Sequence, residues 1–171
     1  MKKLKLLVFS ALLQFCLLAS AQSSVNILTG ITEKNAIGFM ANYNYGVKKN
    51  NYEFGISHSL FEDKKYIPMK FSTTAINAGY LYNAFKNRTN SINFNIGAGL
   101  LGYYEHINNP DRILLNSKNG IGFGVFAVAQ TDIYLFDRLS FLLRVQQNYM
   151  PKSTTGNFNP FLALGLRYII N

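Results

Sequence analysis

His58 stands between Ser57 and Ser59, and the second histidine, His106, lies far along the chain. A serine beside a histidine is the raw material of a hydrolase, because an imidazole can take the proton from an attacking hydroxyl. Adjacent residues on a strand point to opposite faces, so if residues 52 to 61 are extended, neither serine shares a face with His58. No acid is placed to orient the ring, and catalysis is not expected. Two separated histidines without clustered carboxylates also make a poor metal set. The single cysteine, Cys16, falls inside an apolar leader, which leaves neither a disulfide nor a cysteine-metal site. No cofactor and no small-molecule substrate are expected.

A second group of reactive side chains is ionic. Glu53, Asp132, Arg144 and Arg167 each sit in an alternating segment, on the less apolar of its two faces. Counting along the strands puts Glu53, Asp132 and Arg167 towards one end and Arg144 nearer mid-depth. An unpaired buried charge is costly, so these four are expected to form an internal ion-pair network whose role is structural. On this reading Arg167→Met leaves acidic partners uncompensated and lowers the unfolding temperature.

The elements that carry these residues follow from hydrophobic periodicity. Residues 1 to 21 have Lys2, Lys3 and Lys5, an apolar run from Leu6 to Leu18, and Ala19-Ser20-Ala21 before Gln22. That is the form of a cleaved secretory signal peptide, with the mature domain at 22 to 171. After it there is no helix-period segment and no run long enough for a membrane helix. Alternation with a period of two recurs instead at 25 to 32, 37 to 47, 52 to 61, 71 to 84, 91 to 105, 121 to 135, 138 to 149 and 160 to 170.

Each segment has one large apolar face and one small or polar face. Ile92, Phe94, Ile96, Ala98 and Leu100 oppose Asn93, Asn95, Gly97 and Gly99; Leu139, Phe141, Leu143, Val145 and Tyr149 oppose Ser140, Leu142, Arg144, Gln146 and Asn148. A soluble barrel would turn the second face to water and fill it with Lys and Glu. Here that face is mostly Gly, Asn, Ser and Gln, which suits a narrow, crowded interior. The predicted fold is therefore all-β, an eight-stranded antiparallel up-and-down transmembrane barrel with lipid on its apolar face.

Short and long connections should alternate in such a barrel. With both termini periplasmic, the short turns are 48 to 51, 86 to 90 and 136 to 137, and the outer loops are 62 to 70, 106 to 120 and 150 to 159, with a short first connection at 33 to 36. Tyr43, Tyr45, Tyr52, Tyr80, Tyr82 and Tyr168 then mark one boundary as an aromatic girdle. In the last strand Gly165, Tyr168 and Ile170 resemble the C-terminal signal read by barrel-insertion machinery. Removing the three leader lysines from 17 basic residues leaves 14 against 8 acidic ones, a formal charge of +6. No basic run is interleaved with aromatics, so direct nucleic-acid binding is not expected. The lysines fall in turns, where they can face lipid phosphates.

Several stretches resemble the TraO family of conjugative transposon proteins from Bacteroides-type bacteria: "YIPMKFSTTAINAGY" at 66 to 80, "GAGLLGYYEHIN" at 97 to 108, "IYLFDRLSFLLRVQQNYM" at 133 to 150 and "GNFNPFLALGLRYIIN" at 156 to 171. The resemblance covers roughly the second two-thirds of the chain, in the same order. It implies a non-catalytic outer-membrane component of, or accessory to, a conjugative transfer apparatus, with other transfer proteins as partners. The loops at Ile107 to Asn119 and Met150 to Asn159 are the expected contact surface. The alternative is a resident small outer-membrane barrel serving envelope integrity, adhesion or surface defence.

Overall fold

Strands packed on lipid have no water to satisfy their N–H and C=O groups, so the sheet must close on itself. A computed structural model describes residues 21–32, 36–63, 69–89, 91–108, 120–153 and 156–170. Residues 1–20 of the assigned leader, most of the 106 to 120 loop and parts of the other long connections lie outside the described residues, and β1 already begins at Ala21. The eight strands are β1 (Ala21–Thr32), β2 (Ile37–Val47), β3 (Asn50–Asp63), β4 (Met69–Lys86), β5 (Ile92–Asn108), β6 (Gly120–Phe136), β7 (Leu139–Tyr149) and β8 (Phe158–Ile169). Every strand is antiparallel to its sequence neighbours, and β8 closes the barrel on β1, from Ser24 opposite Ile169 to Thr32 opposite Phe161. Strands of 11 to 18 residues are long enough to cross a bilayer, which takes about 9–11 tilted residues.

The two faces divide as the alternation requires. Ile27, Ile76, Leu100, Ile121 and Phe123 are each at least two-thirds exposed on the outside, whereas Asn26, Asn42, Glu53, Gln130 and Arg144 are buried inside. This is the reverse of a soluble barrel, and an apolar surface of that extent belongs against lipid. We call the end that carries the termini and the short turns the terminal rim, and the opposite end the loop rim. Around the terminal rim the tyrosines form an outward ring. Tyr52 and Tyr80 meet edge to face at 5.7 Å, Tyr80 Oη donates to Asn50 Oδ1 at 2.7 Å, and Tyr43 Oη donates to Ser23 Oγ at 2.9 Å. Such rings hold a polar tip in the headgroup region and an apolar body below it.

The terminal rim corrects three details of the sequence reading. The turn expected at 48 to 51 shrinks to Lys48-Lys49, because Val47 already pairs with Asn50. That two-residue hairpin forces Lys48 to a φ of 59°, a left-handed conformation that side chains other than Gly, Asn and Asp adopt reluctantly. The tight turn is Asp137-Arg138 and not Phe136-Asp137, because a register shift between Tyr134 and Phe136 adds a residue to β6. A second shift, between Asn83 and Phe85, extends β4 to Lys86. Each bulge makes successive side chains share a face, which is why Leu135 and Phe136 both point outward, at 51% and 73% exposure.

Inside, glycine makes room for the large side chains of neighbouring strands. A Cβ on Gly99 would lie 2.6 Å from both Phe126 Cε1 and Gly79 Cα, whereas one on the outward Gly102 would meet nothing closer than Phe123 at 3.7 Å. Gly99→Val should therefore lower the refolding yield and the unfolding temperature, with a cost of about 1–3 kcal/mol typical of overpacking. Gly102→Ala should leave both unchanged. Electrophoretic mobility of unboiled and boiled samples, read across a temperature series, checks the pair.

Candidate functional site

The lumen brings the four ionic residues together in two pairs joined by amides. Arg144 enters from β7 and Glu53 from β3, on opposite walls, and both are wholly buried. The pairing is bidentate: Arg144 Nη1 donates to Glu53 Oε2 and Nη2 to Oε1, each at 2.7 Å. This fork-on-carboxylate geometry is the strong form of the interaction. Arg144 also donates to Gln146 Oε1, from Nε at 3.0 Å and Nη2 at 2.6 Å, and to Gln130 Oε1 from Nη1 at 3.1 Å.

Gln130 links this pair to the next. Its Nε2 donates to Asp132 Oδ1 at 2.8 Å, and the other carboxylate oxygen, Oδ2, accepts from Arg167 Nη1 at 2.5 Å and Asn95 Nδ2 at 2.9 Å. Arg167 Nε donates to Asn26 Oδ1 at 2.9 Å, and its Nη2 donates to the carboxamide oxygen of Asn44 at 2.9 Å. Two cations and two anions balance to zero. The chain of contacts spans the barrel from β3 to β7, β6 and β8.

Packed apolar groups complete the filling. Leu28, Met40, Leu142, Phe161 and Ala163 form one buried cluster, and Leu101, Tyr103, Phe126 and Val128 belong to another. The cavity left towards the loop rim, beside Met40, Thr73 and Phe161, is about 30 Å³. That admits a water or two and no solute. The arrangement can brace the barrel and block a path through it.

The other candidates are separated. His58 Nδ1 lies 2.9 Å from Thr74 Oγ1, on the outer face that also carries Ile56 and Leu60. Ser57 turns into the lumen, where Asn77 Nδ2 donates to its Oγ at 3.4 Å. His106 is two strands away on β5, also towards the loop rim. Among the described residues there is no metal-ligating cluster. In β8, Gly165 packs its backbone on Leu28, while Tyr168 and, one residue past the strand, Ile170 are exposed. Gln130 and Gln146 were legible as inward residues but not as partners of the charges. The usable signal was their spacing, since Gln130 with Asp132 and Arg144 with Gln146 are two-residue neighbours on one face.

The model of the family described as conjugative transposon protein TraO matches residues 19–170. The chain belongs to the TraO family. No curated protein matches it. Among solved structures, the TraO barrel is similar to a major outer membrane protein from Thermus thermophilus, with TM-score 0.67 and 10% identity over 88% of this chain and 100% of that one. It is similar to Neisserial surface protein A, with TM-score 0.63 and 13% identity over 86% and 94% of the two chains. The outer membrane enzyme PagL also matches, with TM-score 0.53 and 11% identity over 85% and 98%. At these identities the likeness is one of fold, and a barrel of this kind occurs with and without an enzyme on it.

The depth of each ion pair ranks the substitutions. Arg144→Met strands Glu53 in a fully buried position and should cost about 3–5 kcal/mol. Arg167→Met should cost less, because Arg167 keeps 8% exposure and Asp132 retains Gln130 and Asn95. Removing both members, as in Arg144→Met with Glu53→Leu, should recover much of the loss. Urea unfolding of the barrel in lipid, followed by tyrosine fluorescence, measures all three.

Proposed function

We propose that this chain is a non-catalytic barrel of the bacterial outer membrane that serves a conjugative transfer apparatus, as an envelope component or accessory in DNA transfer between cells. The observation that carries the proposal is the TraO match across nearly the whole chain. The filled lumen supports a role in which the barrel anchors and presents surfaces, since neither solute nor DNA could pass the Arg144–Glu53 plug. Both termini would then lie on the periplasmic side, with the tyrosine ring at the inner boundary and the long loops outside. Its partners on this reading are outer-membrane lipids, the barrel-insertion machinery and other transfer proteins.

Two features support the subsidiary parts of this reading. Tyr168 and Ile170 project outward from the closing strand, where an insertion machine could read them with Gly165 as a C-terminal signal. His58 faces the apolar side and Ser57 the lumen, which supports a non-catalytic role. A donor carrying the element with an in-frame deletion of this gene should lose most of its transfer frequency and regain it with a complementing copy. Unchanged transfer, measured by counting transconjugants, would instead favour a resident barrel of envelope integrity, adhesion or surface defence.

A further inference from the structure

At the terminal rim the lumen opens into a cavity of about 470 Å³, within the range of ligand-binding pockets. Lys48 and Lys49 from one hairpin and Lys86 from the next line its mouth. Its walls are amides, from Gln22, Asn51, Asn83, Asn93 and Asn95, and its floor is the Arg167–Asp132 pair. We infer that this mouth is a docking socket for an acidic peptide segment of a soluble protein on the terminal-rim side of the membrane. The inference goes beyond the transfer role and stands whether or not that role holds.

Charge is the first support. The three lysines have no carboxylate partner among the described residues, and the rim around them adds the exposed Arg88 and Arg138 against Asp137 alone. Lipid headgroups do not answer this charge, because Lys48, Lys49 and Lys86 line an opening inside the wall, away from the outer girdle. The second support is independent of charge. Asn51, Asn83, Asn93 and Asn95 present amides around the cavity, where Asn93 Nδ2 donates to Tyr134 Oη at 3.2 Å and Asn83 Nδ2 donates to Asn95 Oδ1 at 3.1 Å. Carboxamide walls pair with both the N–H and the C=O groups of an extended chain.

Nucleic acid fits this site less well. Single strands need a groove that lets the backbone run through and aromatic faces for stacking. Here the Arg167–Asp132 pair closes the floor, so no backbone can run through, and of the two aromatic residues at the cavity Phe85 is 59% exposed at its edge and Tyr134 is bonded to Asn93. A chain end bearing carboxylates needs neither feature.

The test uses the full chain folded in zwitterionic nanodiscs and a short fluorescein-labelled peptide of alternating Asp and Glu with a free C-terminal carboxylate. Fluorescence anisotropy should show saturable binding at one site, weakened by salt. Lys48→Glu, Lys49→Glu and Lys86→Glu combined should weaken it about tenfold or more. Lys152→Glu, at the opposite rim, should leave it unchanged. Unboiled mobility on a denaturing gel checks that each variant is folded, and the milder Lys48→Gln with Lys86→Gln replaces the charge reversal if that variant does not fold. Equal binding by the lysine variant and the parent overturns the socket. So does an equal loss in Lys152→Glu, or a thymidine oligonucleotide of matched charge that binds as tightly as the peptide.

Discussion

A closed backbone ladder in an apolar solvent is the constraint from which the remaining features follow. Each strand must give all its N–H and C=O groups to two neighbours, and β8 supplies the second neighbour that β1 would otherwise lack. Closure with eight strands leaves an interior only as wide as its side chains. Every residue then has one of two environments, hydrocarbon or a crowded lumen. The sequence alternates because the pleat does.

The narrow lumen accounts for the inward residues. Glycines such as Gly99 and Gly79 let the Phe126 ring lie across the neighbouring strands, and the wholly buried Arg144–Glu53 pair has no room for hydration. The four ionic side chains are tolerable only because they neutralise one another and because amides occupy their remaining donors and acceptors. Glu53 has Arg144; Asp132 has Arg167, Gln130 and Asn95. Replacing such a network with apolar groups could leave stability unchanged, so its contribution is better sought in shape. A bidentate pair across the barrel holds β3 and β7 at one separation and in one register.

Most of this fold could be read from period two alone, because lipid outside and a tight lumen inside make the alternation strict. All eight strands were visible in that pattern, and the inward placement of Arg144 and Asp132 with them. The partners were less legible: Arg144 and Glu53 are 91 residues apart in sequence and meet only through the barrel's diameter and strand stagger. The bulges at Asn83/Phe85 and Tyr134/Phe136 were not legible either, since an extra residue near a turn leaves the hydrophobic pattern almost unchanged. Both bulges move a turn by one position and change which side chains crowd the terminal rim.

Function has to lie where the packing relaxes. A lumen closed by salt bridges and apolar clusters offers no route for solute, and an outer face of Ile, Leu and Phe side chains is committed to lipid. Membership of a family tied to conjugative transposons then directs attention to the two ends. The second, third and fourth loop-rim connections are long, and the terminal end is held by tight turns that fix the backbone beneath its cations. The backbone of Lys48 is held by its two-residue hairpin and that of Lys86 by a bulged strand end. A preorganised rim loses little freedom on binding, so the rigidity imposed by lipid on the barrel wall is available to any partner that meets the barrel there.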